Sequence, residues 1–185
     1  EGETVSIGIG LPMFIRGMAE TVKAKIKHFG AENIRPGDIY VTNDSYLTGS
    51  HLNHVTLTLP IFHQRELIGF SCCMAHWLDI GGTLGGMTTD IYSEGLQLPI
   101  LKLHKGGAVN QDVVDIIRQN VRLPSRAMGD LRAQVTAVKT GERRHLFKGA
   151  RRAAWAAGGY LLLARGSDLY AVPIDPRDPR VTHEP

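Results

Sequence analysis

Three histidines and an aspartate fall into two short, mirrored spacings, His51-x-x-His54 and His76-x-x-Asp79. Imidazole nitrogens and a carboxylate grouped this way can hold a divalent ion, and such mixed donors suit manganese, iron or zinc alike. Between the two pairs lie alternating apolar runs, Val55 to Phe62 and Leu67 to Ala75, separated by the polar His63-Gln64-Arg65-Glu66. That pattern predicts an antiparallel hairpin closed by a four-residue loop. Paired residue numbers then sum to 129 or 130, and a sum of 130 sets His54 opposite His76 and His51 level with Asp79. Opposed residues of an antiparallel pair have Cβ atoms roughly 4.5–5.5 Å apart, close enough for two imidazoles to share one ion. A register one residue off would pair Asn53 with His76 instead. Eight histidines in 185 residues make some chance proximity expected, and a lone histidine at a strand end is commonly just hydrogen-bonded. The mirrored spacings are what favour a site.

Other residues with chemical capacity surround this pattern. Asp44, after Asn43, can be a further ligand, a general base or a turn former, and the last is the commonest use of such a residue. Gly81-Gly82 and Gly85-Gly86 bring backbone N–H groups near His76 and Asp79, as an anion or substrate cradle or as a plain connection. Asp90 and Glu94 can supply acid–base function beside that loop. Cys72 and Cys73 lie inside an apolar strand, where a thiolate is costly, so they read as buried hydrophobes rather than nucleophiles.

The elements that must carry these residues are legible from periodicity. Ile15, Met18, Val22, Ile26 and Phe29 recur at steps of three and four between Pro12 and Gly30, the pattern of an amphipathic helix. Arg35-Pro36-Gly37-Asp38 is a turn leading into a short strand, Ile39 to Thr42, and Leu98 to Leu103 is a second short apolar stretch. A helix is expected from Asn110, as N-cap, to Val121, and another from Ser125 to about Lys148 with Met128, Leu131, Val135 and Val138 as its buried stripe. The opening, with Val5, Ile7 and Ile9 alternating, reads as the middle of a strand. In the tail, Tyr160 to Ala164 and Leu169 to Val172 flank Arg165-Gly166-Ser167-Asp168 as a second hairpin. The fold class is therefore α+β: an antiparallel hairpin and short strands with three amphipathic helices.

Composition narrows the function classes. At 43% hydrophobic and 21% charged the chain reads as globular, and no apolar run approaches the roughly 18 residues of a membrane span. Adjacent cysteines make a poor disulfide, so a reducing, cytoplasmic setting is expected. The net charge of +3 is concentrated at Arg143, Arg144, Lys148, Arg151 and Arg152. Without a recognised nucleic-acid motif this run reads as a solvated helix face, and no nucleic-acid partner is expected.

The stretch from Gly37 to Arg144 resembles the B-type subunit of the hydantoinase and 5-oxoprolinase family. The resemblance rests on Gly37-Asp38-Ile39-Tyr40-Val41-Thr42-Asn43-Asp44, Gly49-Ser50-His51-Leu52 and Ala75-His76-Trp77-Leu78-Asp79-Ile80-Gly81-Gly82. Ile91-Tyr92-Ser93-Glu94-Gly95-Leu96 and Gly129-Asp130-Leu131-Arg132-Ala133-Gln134 continue it. It implies an internal fragment of a larger fold, with a family domain at residues 1–148 and a separate tail at 149–185 resembling one hairpin of a TolB-type propeller blade. It further implies ATP-driven opening of a cyclic amide, ATP being used by an A-type partner subunit. The alternative it implies is the chemistry of acetone- and acetophenone-type carboxylases, the acetone enzyme using manganese. A non-catalytic remnant that only binds the partner is the third reading. His51, His54, His76 and Asp79 are then the metal ligands, Asp44 or Glu94 the catalytic base, and Asn43, Gly81 and Gly82 the substrate-binding residues. Here His51-Leu52-Asn53-His54 stands where the family pattern has His-Leu-Pro-Asp, a neutral nitrogen in place of a carboxylate oxygen. The fragment alone is expected to be inactive and to dimerise or aggregate through uncovered apolar faces.

Overall fold

The computed structural model describes residues 2–4, 12–84, 88–140, 152–156, 160–165 and 168–173. The expected strand around Val5 to Ile9, the Gly85-Gly86 pair and the basic residues Arg143, Arg144, Lys148 and Arg151 lie outside them. The chain forms two compact units, 1–141 and 142–185. Among the described residues no helix is long and apolar enough to cross a membrane.

The first unit is built on a five-stranded antiparallel sheet ordered β3-β2-β1-β4-β5. Its strands are β1 (Ile39–Thr42), β2 (His54–His63), β3 (Glu66–His76), β4 (Leu101–Lys105) and β5 (Ala108–Val109). The helices are α1 (Pro12–Phe29), the short turns α2 (Ser45–Thr48) and α3 (Ile91–Glu94), α4 (Gln111–Asn120) and α5 (Pro124–Thr140). The two short turns and β5 are too brief to leave a periodic signal in the sequence.

The hairpin closes differently from the expected four-residue loop. From His54↔His76 to Ile61↔Gly69 the paired numbers sum to 130, and at Phe62↔Leu67 and His63↔Glu66 they sum to 129. The change of register leaves Ile68 as an extra residue, a bulge that increases local twist. It allows a two-residue turn in which Gln64 and Arg65 both have positive φ, 46° and 72°. That is the backbone sense that matches strand twist in tight hairpins, here adopted by two residues with side chains.

Along its first half β2 is buried on both faces, whereas β3 is half-buried to exposed. Val55 and Leu57 point into the main core with Leu131 and Val138 of α5, Val113 and Ile117 of α4, and Trp77. On the opposite face Thr56 and Thr58 are also fully buried. They lie on the α1 side, where Lys25 Nζ donates to Thr58 Oγ1 at 2.6 Å. The buried stripe of α1 is accordingly not the expected apolar one. Gly17, Thr21, Val22 and Lys25 are buried, while Ile15, Met18, Ile26 and Phe29 are half-buried. Gly17 faces the backbone of Thr48, and a Cβ there would collide with that carbonyl, so a helix can seat directly on α2 only with glycine at this point.

Gln134 of α5 ties the main core to the hairpin. Its amide donates to the Val55 carbonyl at 2.9 Å and its oxygen accepts from Trp77 Nε1 at 2.7 Å. Buried polar groups satisfied in this way fix one docking of α5 rather than several.

The second unit contains a three-stranded antiparallel sheet, β6 (Arg152–Ala156), β7 (Tyr160–Arg165) and β8 (Asp168–Pro173), in that order. The tail hairpin forms with the expected pairing, Arg165↔Asp168 closing it. The extra strand β6 corrects the helical reading of the basic segment at Arg152. Cross-strand pairing of Ala153 to Ala156 with Tyr160 to Leu163 overrides the helix preference of alanine.

Candidate functional site

The site is assembled at the open end of the β2–β3 hairpin. After β1, Asp44 caps α2 by accepting the Tyr46 N–H at 2.9 Å, and Gly49 ends that turn in the left-handed region at φ 69°. The chain then bends back through Ser50 and His51, and the His51 carbonyl accepts the His54 N–H at 3.1 Å. Asn53 locks this bend to the far side of the hairpin. Its carbonyl accepts the Trp77 N–H at 2.8 Å and its side-chain amide donates to the Trp77 carbonyl at 2.9 Å. This extends the 130 register one step past His54↔His76 and excludes the alternative pairing of Asn53 with His76.

Three imidazoles converge as a result. Ring centroids are 4.5 Å apart for His51 and His54, 5.0 Å for His51 and His76, and 5.0 Å for His54 and His76. Both contacts of His76 are edge to face, at 82° and 86°. Phe14 of α1 stacks on His54 with centroids 4.4 Å apart, and Ser50 Oγ lies 2.7 Å from His54 Nδ1. Burial first, and then the neighbouring His51 and His76, lower the pKa of His54 and favour its neutral form.

Asp79 is held differently. Its carboxylate accepts the Gly81 N–H at 3.0 Å and the Leu123 N–H at 2.7 Å, and it lies 3.8 Å from the Arg122 guanidinium. Burial pushes its carboxyl up, but the N–H groups of Gly81, Leu123 and Arg122 outweigh that and hold it below the usual carboxylate range. Among the described residues no group of three or more His, Cys, Asp and Glu side chains stands ready as a metal-holding set. It is the separation of the ring centroids alone that is of the size expected around one ion. Ligand nitrogens about 2.1 Å from a tetrahedral ion would place imidazole centroids about 5 Å apart.

The remaining candidates divide into positioning and cleft residues. Asn43 is buried, donating to the carbonyls of Leu52 and Leu96 at 2.8 Å each and accepting the Leu98 N–H at 2.6 Å. It clamps three segments beneath the site. Gly81 and Gly82 both have positive φ, and a Cβ on either would strike the carbonyl of Asn120 or Glu94. Their sequence therefore answers to close backbone packing, and the Gly81 N–H is already taken by Asp79. Glu94, at the end of α3, accepts the Leu52 N–H at 3.3 Å and shares with His51, Asp79 and Gly81 the lining of an open cleft of about 640 Å³. Arg122 lines the same cleft and donates to the Gly82 carbonyl. Nothing in the sequence singles out Arg122 or Ser50 as site residues. A lone arginine after a helix carries no motif, and Ser50 gains significance only from the bend that brings it to His54.

Comparison with known proteins bears on what this arrangement belongs to. Residues 1–148 match the family model described as hydantoinase B/oxoprolinase. The chain belongs to the hydantoinase B/oxoprolinase family. A B-type subunit of a putative D-/L-hydantoinase from a Pseudomonas species is 35% identical over 141 residues, covering 74% of this chain and 23% of that protein. The beta subunit of caprolactamase from Pseudomonas jessenii is 34% identical over 150 residues, covering 79% and 26%. The chain thus spans about a quarter of the length of these curated relatives. The crystal structure of ATP-dependent caprolactamase from Pseudomonas jessenii aligns with a TM-score of 0.65 at 24% identity, over 86% of this chain and 36% of that one. The mixed α and β fold with its antiparallel sheet is that of this family.

Proposed function

We propose that this chain carries the hydrolytic part of a B-type subunit that opens cyclic amides, with a divalent ion on His51, His54 and His76 and with ATP used by an A-type partner. The observation that carries the reading is the cluster of three imidazoles at 4.5–5.0 Å, whose His51 lines the 640 Å³ cleft. Ser50 holds His54 through Nδ1, which leaves Nε2 as the donor atom, and burial keeps that ring neutral, the form a ligand needs. An ion held there would polarise an amide carbonyl or supply a hydroxide at neutral pH. Glu94, in the same cleft, is placed to move a proton to or from the ring nitrogen as the amide opens. Asp79 and Gly81 line the cleft, Asn43 clamps the segments beneath it, the Gly82 carbonyl holds Arg122, and Asp44 fixes the turn that delivers His51. The names of the relatives, a hydantoinase and a caprolactamase, support a cyclic amide as substrate.

The test has a readout independent of turnover. The purified chain, loaded separately with manganese, zinc and ferrous iron and then gel-filtered, should retain a stoichiometric ion. His54→Ala and His76→Ala should each lose it while keeping their circular dichroism. Equal metal content in wild type and both variants would overturn the reading.

A further inference from the structure

The cleft beside His51 has a composition that discriminates among cyclic amides. The three leucines that line it among the described residues are unusually open to solvent: Leu78 is 60% exposed, Leu84 75% and Leu123 49%. Leucines are commonly buried, and several sharing one concavity mark a surface made to be covered. The charges of the cleft point the same way. Arg122 is its one arginine or lysine among the described residues, and its guanidinium is already engaged by the Asp79 carboxylate and the Gly82 carbonyl. Glu94 has no cationic partner among the described residues, and its carboxylate accepts only the Leu52 N–H. A ligand entering beside His51 therefore meets one neutralised ion pair, one uncompensated carboxylate and an apolar wall.

We infer that the cleft selects uncharged cyclic amides with an apolar body and turns away those bearing a carboxylate on the ring. This rests on the cyclic-amide reading above and narrows it. The ring substituent is received by Leu78, Leu84 and Leu123, and the amide is left facing His51. A ring carboxylate would lie in the field of Glu94, and Arg122, whose charge Asp79 already offsets from 3.8 Å, would compensate it only in part. Two like charges about 6 Å apart in a partly solvated cleft repel by about 1 kcal/mol or more, roughly a fivefold loss of affinity.

The experiment measures binding to the intact chain by isothermal titration. The probes are a hydantoin with an isobutyl side chain, the bare hydantoin, and a five-membered lactam carboxylic acid. The alkyl hydantoin should bind tightest and the acid weakest, by about fivefold or more against the bare ring. Glu94→Gln, which keeps an acceptor for Leu52, should improve binding of the acid relative to the alkyl hydantoin. Arg122→Gln frees the Asp79 charge and should weaken acid binding modestly. Leu84→Ser should cost the alkyl hydantoin about fivefold and the bare ring little. If the acid binds as tightly as the neutral ligands, and Arg122→Gln abolishes it, Arg122 is an anion receptor and the inference is overturned while the cyclic-amide reading stands. If none of the three binds, that broader reading falls and this one with it.

Discussion

The two faces of the β2–β3 hairpin are built from the same alternating strands and are both buried along β2 from Val55 to Thr58, yet they are chemically opposite. The face toward α5 is dry: Val55 and Leu57 are fully buried against Leu131, Val138 and Trp77. The face toward α1 is a polar layer of Thr42, Thr56 and Thr58, with the ammonium of Lys25 buried among them. The difference teaches where the site comes from. His54 and His76 continue the threonine face by strand periodicity, and Phe14 of α1 packs on His54. A polar interior layer that would be a liability in a plain core here runs directly into the imidazole cluster. The dry face supplies the stiffness that holds the two strands in register behind it.

The largest effect should come from breaking the dry face. Leu57→Ala removes a side chain with no exposure, next to Val41 in the sheet and under α5. It should cost about 2–5 kcal/mol in urea unfolding followed by circular dichroism. A loss below about 1 kcal/mol would mean that α5 does not anchor the hairpin and that the contrast between the faces is false.

The polar face should respond to pH rather than to truncation. Burial pushes the Lys25 ammonium down to about 8 from its usual 10.5, with the nearby Cys72 raising it slightly. The folded chain therefore releases this proton earlier than the unfolded chain. Below pH 8 both states are protonated and the fold bears the full penalty. Between about pH 8 and 10.5 the unfolded state binds more protons, so stability rises with pH. The gain attributable to Lys25 is about 3 kcal/mol across that window. Lys25→Met should stabilise the chain at pH 7 and remove that rise, which the difference between variant and wild type isolates from other titrating groups. An identical pH dependence in both proteins would show that Lys25 is charged and well solvated in the fold.

This contrast also marks what the sequence reveals and what it conceals. The hairpin, its register and the meeting of His54 with His76 follow from two alternating runs and a polar spacer, because a one-residue slip would turn every side chain over. The α1 and α4 spans follow equally from spacing. What escapes is any property set by a second element. Thr56 and Thr58 alternate with the apolar residues of β2, and nothing in β2 says that α1 will cover them. The burial of Lys25 has no local signature in the sequence. Asp79 pairs by number with His51, but the Gly81, Arg122 and Leu123 contacts that engage its carboxylate come from beyond the hairpin. Asp44 and Asn43 look chemically able in sequence, and only the capping of α2 and the three-way clamp show how the fold employs them.

The smallest effect separates two threonines within the polar face. Thr58 Oγ1 is the acceptor for Lys25 at 2.6 Å and also lies 3.7 Å from Cys72 Sγ, which donates to it. Thr56, two pairs closer to the site, has a buried hydroxyl with no partner among the described residues. Valine replaces the hydroxyl of either by a methyl of nearly the same shape, so packing changes little and the hydrogen bond is what is tested. Thr58→Val strips the buried amine of its acceptor and should cost about 1–3 kcal/mol at pH 7. Thr56→Val removes a hydroxyl already deprived of its bonds to water and should be within about 0.5 kcal/mol of wild type, or slightly stabilising. Combining each with Lys25→Met sharpens the point. Without the ammonium, Thr58→Val should lose most of its cost, whereas Thr56→Val should be unchanged. Equal costs for the two valines in both backgrounds would mean that Lys25 does not depend on Thr58. The polar layer would then be a set of independent buried hydroxyls rather than one arrangement organised around the lysine.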